Sequence, residues 1–180
     1  MTQLFPTEVY LTPQELILDI LQKTMDLTDD QCITIFPEND LANLNKQLYV
    51  MCLLDSNNYK GNRIEQEDII VSNQVVGVKQ KNIFYSSDSI IIELFSKNND
   101  AFNRYREIPC CLNSYYSKLS QQKSGIGIAR DPSNMFQINE FYGSNLMLNR
   151  YRFTYNVQSS FVKEFDIDYY ETFNIVGNVS

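Results

Sequence analysis

The chain has 180 residues, 43% of them hydrophobic and 21% charged, and a formal net charge of −7. This composition is typical of a globular chain, and the acidic balance argues against sequence-independent nucleic-acid binding, in which Lys and Arg neutralise phosphates. The chain contains no histidine, which excludes histidine-based triads and histidine-ligated zinc sites. No stretch approaches the ~20 apolar residues that span a bilayer, and the N-terminus lacks signal-peptide features. We therefore expect a protein made and kept in a cytoplasm, with no membrane contact.

The first predicted element is an amphipathic helix from about Pro13 to about Met25, preceded by an arm at residues 1–12. Thr12 is a good N-cap residue, Pro13 suits the first helical position, and Glu15 completes a capping box. The apolar spacing predicts one buried stripe, formed by Leu16, Ile17, Ile20, Leu21 and Met25. The arm is expected either to reach a neighbouring subunit or to fray.

Strands are predicted for the next part of the chain. "CITIF" is a short β-rich run, and the nearly continuous apolar run "QLYVMCLLDS" is typical of a central strand buried on both faces. "SNNYKGNRIEQED" is interpreted as a polar loop, and "IIVSNQVVGVKQKNIFYSS" as one bent strand or an extra hairpin. Residues 60–82 are thus expected to form an extended loop or hairpin before a strand at Ser89 to Ser96.

A second helix is predicted from Asn99 or Asp100 to Gly125. Pro109 lies inside it, so we expect a kink or break near Arg106. The predicted buried side consists of Ala101, Tyr105, Ile108, Leu112, Tyr115 or Tyr116, and Leu119. "GIGIARD" then indicates a short strand or an extended turn.

The C-terminal part returns to β-structure, and "NRYRFTYNVQ" is its most informative stretch. Period-two alternation places an aromatic face on one side, formed by Tyr151, Phe153, Tyr155 and Val157, and Arg150 and Arg152 on the other. The order helix, strands, helix, strands predicts an α+β fold, with a mostly antiparallel β-sheet packed against two helices. We expect one domain over residues 13–180, with extended strands or arms for inter-subunit contacts.

Several residue clusters could form a metal-binding, catalytic or nucleotide-binding site, and each also has a purely structural explanation. Asp166 and Asp168 would share one strand side, where they are able to hold a divalent cation or simply face solvent. Asp88 and Glu93 loosely match a metal-dependent nuclease, but Glu93 and Lys97 are spaced more like an isolated surface charge pair. "GIGIA" lacks the third glycine and the lysine of nucleotide loops, so helix termination is the better interpretation.

Arg104 and Arg106 form either a phosphate-binding patch or partners for nearby carboxylates, those of a neighbouring subunit or those around Glu107. No group of residues combines a nucleophile, a base and oxyanion donors. The sequence therefore predicts a protein that is not an enzyme, without catalytic residues, cofactor or metal.

The order of these elements resembles the bacteriophage neck or tail-terminator proteins, which act in tail completion and head–tail joining. The resemblance rests on "LNRYRFTYNVQSSFVKEFDIDYYETFNI", on the capped first helix, and on "LYVMCLL", "SIIIELFSKNNDAFNRY" and "SGIGIARDP". It covers about Pro13 to Ile175, although the stretch at 60–82 is longer than expected. It carries no catalytic signature.

The resemblance implies a structural virion protein. Such proteins form a homo-oligomeric ring, usually a hexamer, at the head-proximal end of the tail tube. The ring ends tube polymerisation, meets the head connector, and lets DNA pass through its lumen without specific binding. The chain would then be synthesised in the cytoplasm of a bacterial host and reside in the tail or neck of the virion. The alternatives are a head-completion, connector or baseplate component, or a metal-dependent nuclease.

The strand alternation of "NRYRFTYNVQ" and the resemblance to ring-forming proteins together suggest an inter-subunit interface as a hypothesis. Arg150 and Arg152 would face outward towards a carboxylate-bearing neighbour, and "KEFDIDYYE" would supply the acids, namely Glu164, Asp166 and Asp168. Arg104 and Arg106 are the other interface candidates.

Overall fold

The computed structural model describes residues 12–34, 48–71, 74–142 and 146–168. Within them lie four α-helices, a short 3-10 turn and a six-stranded sheet, a mixed α+β fold with mostly antiparallel pairing, as predicted. The helices are α1 (Pro13–Thr24), α2 (Asp100–Arg104), α3 (Glu107–Leu112) and α4 (Tyr115–Ser124). The strands are β1 (Cys32–Ile33), β2 (Leu48–Val71), β3 (Gln74–Ser96), β4 (Ile126–Ile128), β5 (Asn134–Tyr142) and β6 (Leu146–Asp168).

Helix α1 begins where the capping box predicts. The Thr12 hydroxyl accepts a hydrogen bond from the Glu15 amide at 3.3 Å, and the Glu15 carboxylate accepts one from the Thr12 amide at 2.7 Å. These bonds satisfy two backbone donors that the first helical turn leaves without partners. The hydrogen bond from the Thr12 backbone also holds the pKa of Glu15 below its usual value. The predicted apolar stripe is buried in full.

The second helical region is divided into three helices, where one kinked helix was predicted. The expected break near Arg106 is present between α2 and α3. Pro109 lies in the first turn of α3, where a backbone N–H would have no acceptor within the helix, so the absence of an N–H in proline costs no hydrogen bond. A second break was not predicted: Ser114 caps α4 by accepting a hydrogen bond from the Ser117 amide at 3.1 Å. Gly125 ends α4 in the left-handed conformation, so helix termination is confirmed for "GIGIA".

The strands are ordered β1-β2-β3-β6-β4, and β5 also pairs with β6. β1 is parallel to β2, whereas β4 and β5 are antiparallel to β6. Side-chain contacts give the direction of the central pair, because Ser86 meets Ser159 and Glu93 meets Arg152. Seven residues forward on β3 correspond to seven residues backward on β6, so β3 and β6 are antiparallel. Of the predicted "CITIF" strand, residues 35 and 36 lie outside the described part.

The helices and one face of the sheet share one hydrophobic core. Its strand residues are Leu48, Val50 and Cys52 of β2, Ile90, Ile92 and Leu94 of β3, and Tyr151, Phe153, Tyr155 and Val157 of β6. The predicted aromatic face of "NRYRFTYNVQ" is therefore confirmed as core. Tyr105 from the helical side stacks on Tyr151 with ring centroids 4.6 Å apart. Tyr116 packs against this core and Tyr115 is exposed, which decides between the two tyrosines.

Strands β2 and β3 are much longer than predicted. The stretch interpreted as a polar loop, Ser56 to Asp68, is strand throughout. Of the two alternatives for the stretch after it, a bent strand or an extra hairpin, the hairpin matches, because β2 and β3 are neighbours in the sheet and only residues 72 and 73, outside the described part, lie between them. The chain divides into two compact units: residues 1–59 with 86–159, the core unit, and residues 60–85 with 160–180, the ribbon. Strands β2, β3 and β6 each pass from one unit into the other. Of the stretch 60–82, expected to form an extended loop or hairpin, residues 60–71 and 74–82 are strand in the ribbon, which matches the hairpin alternative.

Candidate functional site

Two arginines of β6 converge on one carboxylate of β3, on the sheet face opposite the helices. Arg150 donates from Nε to Oε2 of Glu93 at 2.8 Å, and its Nη2 donates to the same oxygen. Arg152 donates from Nε to Oε1 at 2.5 Å. The positions follow from the strand period, because Arg150 and Arg152 have the parity opposite to the core residues of β6. Both oxygens of Glu93 are thereby bound.

The cluster is buried at one end and open at the other. Glu93 is 0% exposed and Arg150 is 8% exposed, whereas 31% of the Arg152 side chain is exposed. The Nη groups of Arg152 make no hydrogen bond to the described part of the chain, and its guanidinium carbon lies 5.5 Å from the centroid of the Phe136 ring.

These contacts correct two sequence interpretations. Arg150 was expected to face outward towards a neighbour's acids, but it is buried and binds Glu93 of the same chain. Arg152 also binds Glu93 and keeps part of its side chain exposed, so its role in an interface stays a prediction. Glu93 was interpreted as part of a surface charge pair with Lys97, but it is fully buried. Nothing in the sequence around Glu93 identifies its partners, because they lie more than fifty residues away along the chain. A lone acid in the apolar run "SIIIELF" was the signal, since a buried carboxylate requires a cation.

The second arginine pair also binds within its own chain. Arg104 donates to both carboxylate oxygens of Glu107 and, at 2.6 Å, to the backbone carbonyl of Met25. These hydrogen bonds connect the end of α2 to the end of α1. Of the two roles considered for Arg104, a phosphate-binding patch or a partner for nearby carboxylates, the contact with Glu107 matches the second. The hydrogen bonds that Arg104 donates to the Glu107 carboxylate raise the pKa of Arg104. Arg106 donates to the Tyr105 hydroxyl at 2.9 Å. Their role in an interface stays a prediction.

Glu164, the first of the predicted interface acids, lies in the ribbon. Lys79 and Lys81 approach it with Nζ–O distances of 2.6 and 3.3 Å, and the hydrogen bond from Lys79 is the main cause of its lowered pKa. Its bound partners are thus lysines of β3 and not arginines. The side chains of Asp166 and Asp168 lie outside the described residues, so their metal-binding and interface roles stay predictions.

The ribbon exposes a set of apolar side chains. Those exposed there are Ile64, Ile70, Val71, Phe84, Tyr85, Phe161 and Phe165, and no buried hydrophobic residue of the described chain belongs to the ribbon. The ion pair between Lys81 of β3 and Glu164 of β6 shows that these two residues lie opposite each other on one face of the ribbon. Phe84 is three residues after Lys81, and Phe161 is three residues before Glu164. These two rings therefore lie opposite each other on the other face. The outer strands are β2 and β6, and beyond residues 60 and 160 neither has a further strand beside it in the described ranges.

Strand geometry also bears on the alternative of a metal-dependent nuclease that uses Asp88 and Glu93. Asp88 and Glu93 are five residues apart on β3, so they project from opposite faces and cannot bind one metal ion together. Asp88 is buried, its Oδ1 has no hydrogen-bond partner, and burial raises its pKa. Across the described ranges, no three His, Cys, Asp or Glu residues are grouped so as to hold a metal ion. None of the helices described is long and apolar enough to cross a membrane.

No protein-family model and no curated protein matches this chain. What the geometry defines is an α+β protein with a mostly antiparallel sheet, a buried arginine–glutamate–arginine cluster and a β-ribbon with exposed apolar side chains.

Proposed function

We propose that this chain is a structural virion protein that forms a ring at the head-proximal end of a phage tail, as a neck or tail-terminator protein. The observation that carries the proposal is the ribbon, whose apolar side chains are exposed and whose outer strands, β2 and β6, have no further strand on their outer edges within the described ranges. Exposed apolar side chains and open strand edges are typical of protein–protein contact sites. The virion setting rests on the resemblance of the sequence to this family.

The energetics favour assembly through the ribbon. Its seven apolar side chains are between 38 and 64% exposed. Full burial of one such side chain is worth ~1.5–3 kcal/mol, so covering the half still exposed contributes about 1 kcal/mol each. Strand edges add backbone hydrogen bonds when another chain pairs with them. Head-to-tail contacts between identical chains close into a ring when the rotation per subunit divides a full turn.

The partners follow from the same proposal. In a ring, one face meets the tail-tube protein and ends its polymerisation, and the other meets the head connector. The net charge of −7 is compatible with a lumen that repels phosphates, so that DNA passes without binding. We therefore include no cofactor and no specific nucleic-acid site in the proposed function.

The test combines negative-stain microscopy with mass determination in solution over a range of concentrations. We expect rings with a central hole, either from the protein alone or after addition of the tail-tube protein of the same phage. Tubes that stop growing when the protein is added support a terminator, whereas rings without capping indicate another virion component. A protein that stays monomeric in both experiments refutes the proposal.

Ribbon variants connect this test to the structure. Replacing Ile64 and Ile70 by serine removes exposed apolar surface without disturbing the core. The matched control replaces Leu54 and Tyr115, which are exposed in the core unit, by serine. We expect the ribbon variant to lose assembly and the control to retain it, with both monomers equally stable.

A further inference from the structure

In the ribbon, strand β6 has a neighbouring strand on one side only. That neighbour is β3, whereas the other side of β6 pairs with β5 and β4 only as far as Ser159. From residue 160 to residue 168 this second side has no partner strand within the described ranges. An open strand side presents backbone N–H and C=O groups that another strand can bind.

Backbone hydrogen bonds show which residues of β6 direct their polar groups to this second side. The carbonyls of Thr154 and Asn156 accept hydrogen bonds from the amides of Ser133 and Ala129, which lie next to β5 and β4. In an antiparallel ladder a residue directs its N–H and C=O to the same neighbour, and successive residues alternate between the two neighbours. Even-numbered residues of β6 therefore direct both groups away from β3.

The same alternation continues into the ribbon. The contact of Ser86 with Ser159 and the contact of Lys81 with Glu164 lie five residues apart on both strands. The register of β3 and β6 is thus kept between them, with no extra residue that would reverse the alternation. Val162 and Glu164 therefore direct their N–H and C=O groups to the open side of β6.

The other outer strand of the ribbon, β2, offers a less regular edge. Gly61, near the start of its ribbon part, has φ 146°, which lies outside the conformation of regular strands and favours glycine. Such a residue interrupts the even alternation of backbone groups on which strand addition depends. No described residue of β6 has a positive φ. Of the two outer strands, β6 is therefore the better acceptor.

Another copy of this chain is able to supply the added strand. Within the described ranges β5 pairs with β6 alone, so its other side is open, and its 9 residues equal the length of the open part of β6. Apolar side chains are exposed on both strands: Met135 and Phe136 of β5 are 52 and 38% exposed, and Phe161 and Phe165 of β6 are 47 and 38% exposed. Side chains on paired strands cover one another, so strand addition would bury part of this surface.

We propose that residues 160–168 of β6 accept a strand from an adjacent copy of this chain, with backbone hydrogen bonds to Val162 and Glu164. This inference rests on the proposed function, because it names the part of the ribbon through which one subunit holds the next. The contact is heterologous: each copy accepts a strand at one interface and supplies a strand at the other.

Proline substitution at position 162 tests the strand addition. Val162→Pro removes an N–H that faces the open side, and edge positions of this kind tolerate proline. We expect the monomer to keep its stability in urea titrations and association, followed by mass photometry over a range of concentrations, to weaken at least about tenfold. The matched control is Val162→Ala, which shortens the side chain but keeps the N–H and should assemble like wild type. Lys163→Pro removes an N–H directed to β3 and should lower the stability of the monomer itself.

Amide hydrogen exchange gives a second readout that needs no variant. In the dilute monomer the amides of Val162 and Glu164 should exchange rapidly and that of Lys163 slowly, because only the last is directed to β3. Assembly should slow exchange at Val162 and Glu164 at least about tenfold. If Val162→Pro does not fold, this measurement decides the question.

The outcomes separate this contact from the proposed ring. Unchanged exchange at Val162 and Glu164 in assembled protein, or a folded Val162→Pro variant that assembles like Val162→Ala, overturns the strand addition and leaves the ring standing. Protection of these amides by tail-tube protein while this chain is still monomeric identifies another occupant of the edge and overturns the inference as well. A wild-type chain that never assembles, alone or with the tube protein, contradicts the ring and this contact together.

Discussion

Removal of Arg150 should expose how much the buried cluster contributes to folding. In an Arg150→Met variant the aliphatic stem is retained, but Oε2 of the fully buried Glu93 loses both of its hydrogen bonds. Removing one partner of a buried ion pair costs about 3–5 kcal/mol, because the remaining charge is desolvated without compensation. Arg152 still binds the other oxygen of Glu93, so we expect the lower end of that range, about 3 kcal/mol.

The free energy of unfolding, measured by urea titration, gives this cost directly. Domains are usually stable by about 5–15 kcal/mol, so the variant should stay folded but melt about 6–12 °C lower, from about 2–4 °C for each kcal/mol. The control is Arg130→Met, because the Arg130 side chain is exposed and makes no hydrogen bond, ion pair or ring contact within the described residues. That change should stay within about 0.5 kcal/mol of wild type.

A double-mutant cycle separates the ion pair from packing. Adding Glu93→Gln to Arg150→Met removes the buried charge that the first change leaves under-compensated. The double variant should therefore be at least about 1 kcal/mol more stable than the sum of the two single losses predicts. A cost below about 1 kcal/mol for Arg150→Met, or strict additivity in the cycle, would refute the view that Glu93 depends on Arg150. The earlier idea that Arg150 acts mainly in assembly would then regain support.

Three further predictions concern local features of the fold. Burial raises the pKa of Asp88. The contribution of the protonated Asp88 side chain to stability is therefore fully present below the ordinary carboxyl pKa of ~3.9 and is lost as pH rises through the raised pKa. Asp88→Asn should be more stable than wild type in urea titrations at pH 7, and this difference should shrink towards pH 4. Thr12→Ala should lower the free energy of unfolding by about 1 kcal/mol, since the cap of α1 is lost, and an unchanged melting temperature would contradict that cap. Gly125→Ala should cost about 1 kcal/mol because Gly125 has φ 67°, whereas Gly127→Ala, whose added Cβ meets nothing closer than 3.9 Å, should be tolerated in the same thermal melts.

The elements predicted correctly are those whose signals are local. Thr12, Pro13 and Glu15 specify the start of α1 within four residues, and alternation along "NRYRFTYNVQ" assigns its aromatic side chains to the core. Each signal is read within one turn or one strand. Neither depends on which distant segment lies opposite.

The errors concern segments whose structure depends on distant partners. Ser56 to Asp68 was taken for a loop because its side chains are polar on both faces, and alternation exists only where one face is buried. It is a strand because β3 is its neighbour in the sheet. The second helical region was divided more often than expected because Ser114 competes for the backbone as an N-cap.

By itself, the sequence determined the α+β class, the first helix, the aromatic core face of β6 and the acidic charge of the chain. These features follow from short-range periodicity, capping and composition. Only the tertiary structure decided that Arg150 and Arg152 share Glu93, that Glu164 binds two lysines, and that β2, β3 and β6 continue as a ribbon with exposed apolar side chains. The physical reason is that ion pairs and strand pairing are made between residues far apart in the chain, and no local pattern specifies the partner.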